Sequence, residues 1–159
     1  MIANTLDRYV LAKELLELKA RISIIESETA LSATFLRKAF YDMHQKSPPS
    51  GPLVNSPSFL LRNFVRLKEA TLFVFFYRVQ KTTDLGLRRS IMAYQRYASY
   101  IETLTKAQPM IDYSSAYMIV KWVESGEVKL VRCGHCRSAM LLVPTKGRAS
   151  VCCVCGEDN

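Results

Sequence analysis

Two pairs of cysteines near the C-terminus constrain the fold of this chain more than any other feature. Cys133 and Cys136 form one C-x-x-C motif, and Cys152 and Cys155 form another, with 15 residues between the motifs. Two such turns can supply four sulfur ligands at about 2.3 Å from one ion, which suits tetrahedral zinc. The spacing predicts one structural Zn2+ ion, since protein sulfur would fill every position and leave none for a reacting water.

Two other uses of paired cysteines are open. A rubredoxin-type iron site has similar ligands, but the chain shows no other feature of an electron-transfer protein. A redox disulfide within one motif would leave the second pair unexplained. We expect His135 to face solvent and Cys153 to point away from the ion, although Cys153 could replace a neighbouring ligand. Five cysteines arranged in this way fit a reducing compartment better than a disulfide framework.

Most of the preceding chain has helical patterning, so the fold class predicted is mostly α. The predicted helices cover residues 6–28, 31–43, 58–77, 85–106 and 113–123. Residues 72–77 are apolar enough to be a buried strand, but their flanks favour a buried helix. The chain from 48 to 57, which contains Pro48-Pro49-Ser50-Gly51-Pro52, is predicted to be a loop.

The segment around the cysteines reads differently. Residues 139–143 are typical of a strand, residues 144–147 of a turn and residues 149–151 of a returning strand, as in a small ribbon. We therefore predict a helical DNA-binding and assembly domain over residues 1–126 and a zinc-binding ribbon over residues 127–159.

The first two predicted helices suggest a helix-turn-helix-like N-terminal portion. Ser32 is a candidate N-cap for the second helix. The first helix has an apolar stripe, either core or a contact with a partner subunit, formed by Leu11, Leu15, Leu18, Ile22 and Ile25. In the second helix, the residues expected to face inward are Phe35, Leu36, Ala39, Phe40 and Met43. Any two helices joined at a corner would look the same, so the spacing alone is a weak signal.

The positive charge of the chain is concentrated in its middle. The formal net charge is +8, and residues 48–110 hold nine Lys and Arg against three Asp and Glu. The basic residues of this region are Arg62, Arg66, Lys68, Arg78, Lys81, Arg88, Arg89, Arg96 and Lys106. Such an excess is either a solvated helical face or, as we favour, a surface that follows the phosphates of nucleic acid.

Catalytic signatures are missing from the sequence. There is no Gly-rich phosphate loop, no G-x-S-x-G and no H-E-x-x-H, and the only histidines are His44 and His135. We therefore expect no enzymatic activity. No apolar run approaches the roughly 20 residues of a membrane span, and the N-terminus lacks the layout of a secretory signal. A cytoplasmic protein without a membrane partner is expected.

In order along the chain, these features resemble the FlhC family, the flagellar master transcriptional activator subunits. The resemblance rests on Ala20-Arg21-Ile22, Glu26-Ser27-Glu28-Thr29, Leu31-Ser32, Leu36-Arg37-Lys38, Pro48-Pro49-Ser50-Gly51-Pro52-Leu53 and Trp122-Val123-Glu124-Ser125-Gly126, followed by both cysteine pairs. It implies a mostly helical protein that assembles with FlhD into a hexamer of four FlhD and two FlhC. It further implies binding of double-stranded DNA upstream of flagellar operons, activation with RNA polymerase, and zinc on Cys133, Cys136, Cys152 and Cys155.

Three hypotheses follow. The first is a DNA-binding transcriptional activator subunit, whose candidate DNA contacts are Arg37, Lys38, Arg62, Arg66, Arg88, Arg89 and Arg96. The second is a protein-interaction adaptor, in which the ribbon docks on the transcription machinery and the positive charge matches an acidic partner. The third is a small enzyme that uses cysteine chemistry. We favour the first, mainly because of the resemblance.

Overall fold

The computed structural model of the chain describes residues 4–80, 86–143 and 151–157. These residues form seven helices and two strands, so the prediction of a mostly α fold is confirmed. The chain divides into two compact units, Met1–Leu53 and Val54–Asn159. The predicted functional boundary at residue 126 lies inside the second unit and stays a prediction.

Three helices make up the first unit, and each packs against the other two. They are α1 (Thr5–Glu17), α2 (Ile22–Thr29) and α3 (Ala33–His44). Leu15, Ile25, Leu36 and Phe40 are at most 1% exposed and form its apolar core. The turn between α2 and α3 is where the sequence predicted it, but the helix-turn-helix-like character remains a prediction.

The single helix predicted over residues 6–28 is wrong, because the chain turns between α1 and α2. Lys19 takes a left-handed conformation with φ of 56°. Its N–H donates to the Leu16 carbonyl at 2.9 Å, and the Ala20 N–H donates to the Leu15 carbonyl at 3.0 Å. These two bonds form a Schellman motif, which satisfies the last carbonyls of α1. The apolar spacing continues through the turn, so periodicity alone could not reveal it.

Helix α3 begins as predicted, with the Ser32 hydroxyl accepting from the Phe35 N–H at 3.4 Å. Its buried face is narrower than expected. Leu36 and Phe40 are buried, whereas Phe35 and Met43 are 44% and 39% exposed, which corrects the prediction that they face inward. In the described part of this unit, α1 and α2 are the helices that pack against α3, and they cover one stripe of it.

The second unit is built around a pair of packed helices. Its helices are α4 (Pro57–Leu60), α5 (Phe64–Val79), α6 (Leu87–Thr105) and α7 (Tyr113–Ser125). The ambiguous segment 72–77 is a buried helix, as predicted, with Phe73 and Val74 both 0% exposed. Phe73 meets Tyr97 edge-on at 5.9 Å between ring centroids. Tyr97 donates through its hydroxyl to Glu69, whose Oε2 also accepts from the Met110 N–H at 2.8 Å.

One continuous helix over residues 58–77 was predicted, and this is also corrected. Helix α4 ends at Leu60, and α5 begins after a short break at Asn63. The Asn63 side-chain oxygen accepts from the N–H groups of Val65 at 2.9 Å and Arg66 at 3.1 Å. Asn63 therefore caps a new helix, a role in which asparagine is strongly favoured.

Strands β1 (Lys129–Arg132) and β2 (Ala139–Leu142) form an antiparallel hairpin. Strand β2 confirms the strand predicted at 139–143, while β1 was not predicted because four residues show no clear alternation. The predicted turn at 144–147 and most of the returning strand at 149–151 lie outside the described residues. Helix α5 contacts β2, and the Leu141 N–H donates to the Thr71 hydroxyl at 3.2 Å. None of the helices described here has both the length and the apolar character required to cross a bilayer.

Candidate metal centre

The two cysteine motifs adopt the same backbone turn. In the first, the Cys133 N–H donates to the Ser138 carbonyl at 2.9 Å and the Arg137 N–H donates to the Cys133 carbonyl at 3.1 Å. In the second, the Cys152 N–H donates to the Glu157 carbonyl at 2.8 Å and the Gly156 N–H to the Cys152 carbonyl at 2.9 Å. Both turns put the first and fourth side chains on one side, which is the arrangement that metal knuckles require.

These turns bring four thiols together. The sulfur atoms of Cys133, Cys136, Cys152 and Cys155 all lie within 4.8 Å of one another. The Cys133–Cys155 and Cys136–Cys152 sulfur pairs are each 3.7 Å apart, far longer than a disulfide bond of about 2.04 Å. A tetrahedron with metal–sulfur bonds of about 2.3 Å has edges of about 3.8 Å. The four cysteines can therefore hold one metal ion with little movement.

The four thiols differ in acidity because their hydrogen bonds and neighbours differ. Hydrogen bonds from the side chain and backbone of Ser138 lower the pKa of Cys136 to about 6. A backbone hydrogen bond from Glu157 lowers the pKa of Cys155, but desolvation and the three neighbouring cysteines outweigh it and raise the value to about 12. Four thiolates at this separation repel one another, and a divalent cation removes that repulsion.

Among the described residues, the candidate metal centre contacts the helical part of the second unit through its buried pair of cysteines. Cys133 and Cys152 are buried, whereas Cys136 and Cys155 are exposed. The buried pair packs with Met140 and Cys153, and Leu67 of α5 packs against this cluster. The inner half of the centre is therefore held by apolar contacts, while the outer half faces solvent.

Cys153 and His135 lie inside the motifs but outside the group of four. The Cys153 side chain is 1% exposed and packs in the apolar cluster, and burial raises the pKa of its thiol despite a hydrogen bond with Thr71. His135 is exposed. The ligand set thus consists of sulfur alone, a soft donor set that favours zinc or an iron–sulfur centre over hard cations such as Mg2+.

The predicted DNA contacts are distributed over both units. Arg37 and Lys38 lie exposed on α3 in the first unit, while the other five lie in the second unit. Of those five, Arg62 and Arg96 are exposed, and the half-buried side chains are Arg66, Arg88 and Arg89. Arg96 lines a surface groove that also includes Phe76 and Tyr100.

Arg89 has a structural role that the sequence did not reveal. Its guanidinium donates to the Tyr77 carbonyl at 2.8 Å and to the Arg78 carbonyl at 3.1 Å. It also lies over the Tyr77 ring, 4.7 Å from the centroid. Because these carbonyls belong to the last turn of α5, Arg89 caps that helix and offsets the negative end of its dipole. Less of its hydrogen-bonding capacity remains for DNA.

Two phenylalanines were missed as candidate functional residues. Phe59 and Phe64 are 55% and 42% exposed. Each has a cation beside its ring: the Arg62 guanidinium carbon lies 4.7 Å from the Phe59 centroid, and the Lys68 ammonium nitrogen lies 5.1 Å from the Phe64 centroid. The signal available in the sequence was the alternation of aromatic and basic residues in a stretch without Asp or Glu from residue 43 to 68.

Comparison with known proteins identifies related sequences over nearly the whole chain. A family model described as "Flagellar transcriptional activator (FlhC)" matches residues 1–158. Flagellar transcriptional regulator FlhC of Verminephrobacter eiseniae is 27% identical over 145 residues, which are 91% of this chain and 78% of that protein. The protein of the same name from Proteus mirabilis is 28% identical over 133 residues, 82% of this chain and 68% of that protein. That from Cupriavidus metallidurans is 28% identical over 85% of this chain and 63% of its own length.

Proposed function

The chain belongs to the FlhC family of flagellar transcriptional activators, and we propose that it is a DNA-binding activator subunit acting in the cytoplasm on flagellar operons. The observation that carries the proposal is the family match over residues 1–158. The relatives bear the name of transcriptional regulators, and an activator subunit has no need of a catalytic site.

Direct contact with double-stranded DNA is supported by the charge of the second unit. The basic excess of residues 48–110 includes Arg62 and Arg96, whose side chains are exposed. In the first unit Arg37 and Lys38 follow the turn between α2 and α3 and are also exposed. Lys and Arg on phosphates supply affinity for any sequence, and contacts with base edges supply preference. Arg66, Arg88 and Arg89 complete the proposed set, with Arg89 contributing least.

The ion we propose for the metal centre is zinc. Four thiolates, with Cys133–Cys155 and Cys136–Cys152 sulfur distances of 3.7 Å, match its tetrahedral preference, and no ligand position is left for a substrate. The ion would be structural: it would fix the two turns and the hairpin on α5. In this proposal, residues 127–159 form the ribbon, and residues 1–126 carry the DNA-binding and assembly surfaces.

Mass spectrometry of the intact protein under non-denaturing conditions tests the metal proposal. Protein purified under reducing conditions should carry one zinc ion per chain. Cys136→Ser should lose it, and His135→Ala, which changes an exposed residue in the same turn, should retain it. A metal-free but folded wild-type chain would contradict the proposal.

A subunit partner of the FlhD type and RNA polymerase are the proposed protein partners, with the hexamer of four FlhD and two FlhC taken from the resemblance. Exposed apolar side chains in the first unit support such assembly. Leu6 is 67% exposed, and Tyr9 and Phe35 form an exposed edge-on pair with 5.6 Å between ring centroids. Exposed apolar residues in a group are common at subunit interfaces. Co-expression with an FlhD-type protein should give a single peak in size-exclusion chromatography.

DNA binding is tested by gel-shift titration of flagellar promoter fragments at several salt concentrations. The affinity should fall steeply with salt, because each neutralised phosphate releases counterions. Replacing one phosphate-contacting residue, for example Arg96→Ala, should reduce the slope of log affinity against log salt by about one. A flat dependence would instead favour an adaptor that docks on the transcription machinery without reading DNA.

A further inference from the structure

The corner between α4 and α5, residues 57–68, exposes an unusual group of side chains. Phe59, Phe64 and Val65 are 55%, 42% and 50% exposed. They project from a firmly anchored backbone, because Leu60 and Leu61 between them are both only 4% exposed. Exposure of large apolar side chains to water is unfavourable, and a partner that covers them removes this cost.

The positive charge of this corner indicates which chemical class of partner would cover it. A cation lies beside each ring, Arg62 beside Phe59 and Lys68 beside Phe64. No Asp or Glu occurs between Asp42 and Glu69, so no acidic side chain of the corner itself offsets the positive charges of Arg62 and Lys68. An apolar protein surface that covered the rings would also remove these cations from water, which is costly without anions. A nucleic acid offers both contacts: its phosphates pair with the basic side chains, and its stacked bases pack against the aromatic rings.

We infer that the α4–α5 corner inserts Phe59, supported by Phe64, as an apolar wedge between base pairs of double-stranded DNA and bends the duplex. The inference deepens the proposed function and rests on it. Paired bases expose their faces only where a step is opened, and proteins open steps with apolar side chains such as Phe while Lys and Arg hold the neighbouring phosphates. Arg62 and Lys68 lie close enough to their rings to provide those contacts on the same approach.

Rigidity is what a wedge requires, and the corner has three sources of it. Asn63 caps α5 with two hydrogen bonds, of 2.9 and 3.1 Å. The Leu61 N–H donates to the Pro57 carbonyl at 2.8 Å. One turn further along α5, Leu67 packs against the cluster that contains Cys133 and Cys152. A mobile segment would move aside instead of unstacking a base step, so this anchoring fits the proposed role.

The experiment compares DNA affinity and DNA bending for matched phenylalanine variants of the complete chain, co-expressed with its FlhD-type partner. The probe is a flagellar promoter duplex labelled at both ends for fluorescence energy transfer, with affinity measured by anisotropy. Phe59→Ala should weaken binding about tenfold and reduce the bend. Phe75→Ala removes a phenylalanine of similar exposure, 50%, at a site outside the corner, and should change neither. Phe59→Trp keeps a flat apolar side chain and should preserve the bend.

The outcomes separate this inference from the proposed function. If the wild-type protein binds and bends DNA and Phe59→Ala and Phe64→Ala do so equally well, the wedge is excluded while the activator remains. Loss of the FlhD-type partner in these variants with DNA affinity unchanged would show that the corner is a protein interface, and would also overturn the inference. A wild-type chain that binds no duplex at low salt refutes the proposed function itself. Circular dichroism confirms folding, which these exposed substitutions should leave intact.

Discussion

At the scale of single residues, four of the seven described helices are followed by a non-glycine residue in the left-handed backbone conformation, which usually favours glycine. Lys19, Ala30, Gln45 and Lys106 have φ between 53° and 58° and follow α1, α2, α3 and α6. A left-handed conformation costs a residue with a Cβ atom roughly 1–2 kcal/mol. The turn at each of these positions therefore lowers the stability of the fold by the cost of this backbone conformation.

Ala30→Gly should raise the free energy of unfolding by about 1 kcal/mol, because glycine adopts the left-handed conformation without a steric penalty. Ala39→Gly, the same change in the interior of α3, should lower it by about 1 kcal/mol or more. Urea denaturation followed by circular dichroism measures both. Equal effects of the two substitutions would show that the φ of 53° at Ala30 carries no strain.

The acidity of the thiols makes metal loading depend on pH. Ser138 holds the pKa of Cys136 down at about 6, so this thiol has already lost its proton at neutral pH. Cys155, at about 12, keeps its proton until the metal displaces it. Zinc titration in a weakly buffered solution should therefore release more protons per ion below pH 6 than above it. A pH-stat titration measures the number of protons released per zinc ion. The same number below and above pH 6 would contradict the low pKa of Cys136.

At the scale of elements, α5 connects the two features on which the proposals depend. Its first turn belongs to the exposed α4–α5 corner, and Leu67, one turn later, packs on the cysteine cluster. Thr71 comes next: its hydroxyl donates to the Leu67 carbonyl at 2.8 Å and accepts from the Leu141 N–H of β2 at 3.2 Å. Strand β2 and the cysteine cluster are thus joined to α5 by apolar contacts and by hydrogen bonds of Thr71 with Leu141 and Cys153.

Thr71→Val should destabilise the second unit by about 1–3 kcal/mol, since it keeps the volume of the side chain but leaves the buried Leu141 N–H without its acceptor. Thr71→Ser restores the hydroxyl and should recover most of the loss. Denaturant unfolding gives the stability, and hydrogen exchange at the Leu141 amide reports the bond itself. Unchanged exchange at this amide in Thr71→Val would show that the hydroxyl does not hold the ribbon.

At the scale of the whole molecule, the division into two units predicts which part of the fold a bound metal would stabilise. The cysteine cluster packs against α5 within the second unit, and the core of the first unit is supplied by α1, α2 and α3. Loss of the metal should therefore be a local event and not a general unfolding.

If the centre holds zinc as proposed, its removal with a chelator under reducing conditions should accelerate hydrogen exchange in β1, β2 and the first half of α5. Amides of α1–α3 should keep their protection, because their core contains none of the cysteines. Hydrogen exchange with mass spectrometry of the loaded and stripped chain compares the two. Loss of protection throughout the first unit would show that the two units fold as one.

The sequence by itself determined the class of fold, most helix positions and which four cysteines come together. These features are local: a C-x-x-C turn, a capping Ser32 and an apolar repeat each depend on residues a few positions apart. The break at Lys19 escaped detection because a Schellman motif without glycine leaves the apolar repeat uninterrupted. The cap at Asn63 was overlooked for a related reason, since the patterning on both sides of it is helical.

Only the tertiary structure decided which side chains stay exposed and which positive charges serve the fold. Arg89 and Arg62 both belong to the basic region of residues 48–110 in the sequence, yet one caps α5 and the other lies over an exposed ring. Phe73 and Phe59 are likewise indistinguishable by type, but one is 0% and the other 55% exposed. The physical reason is that burial and pairing depend on contacts between distant segments, and a local pattern holds no information about which segments meet.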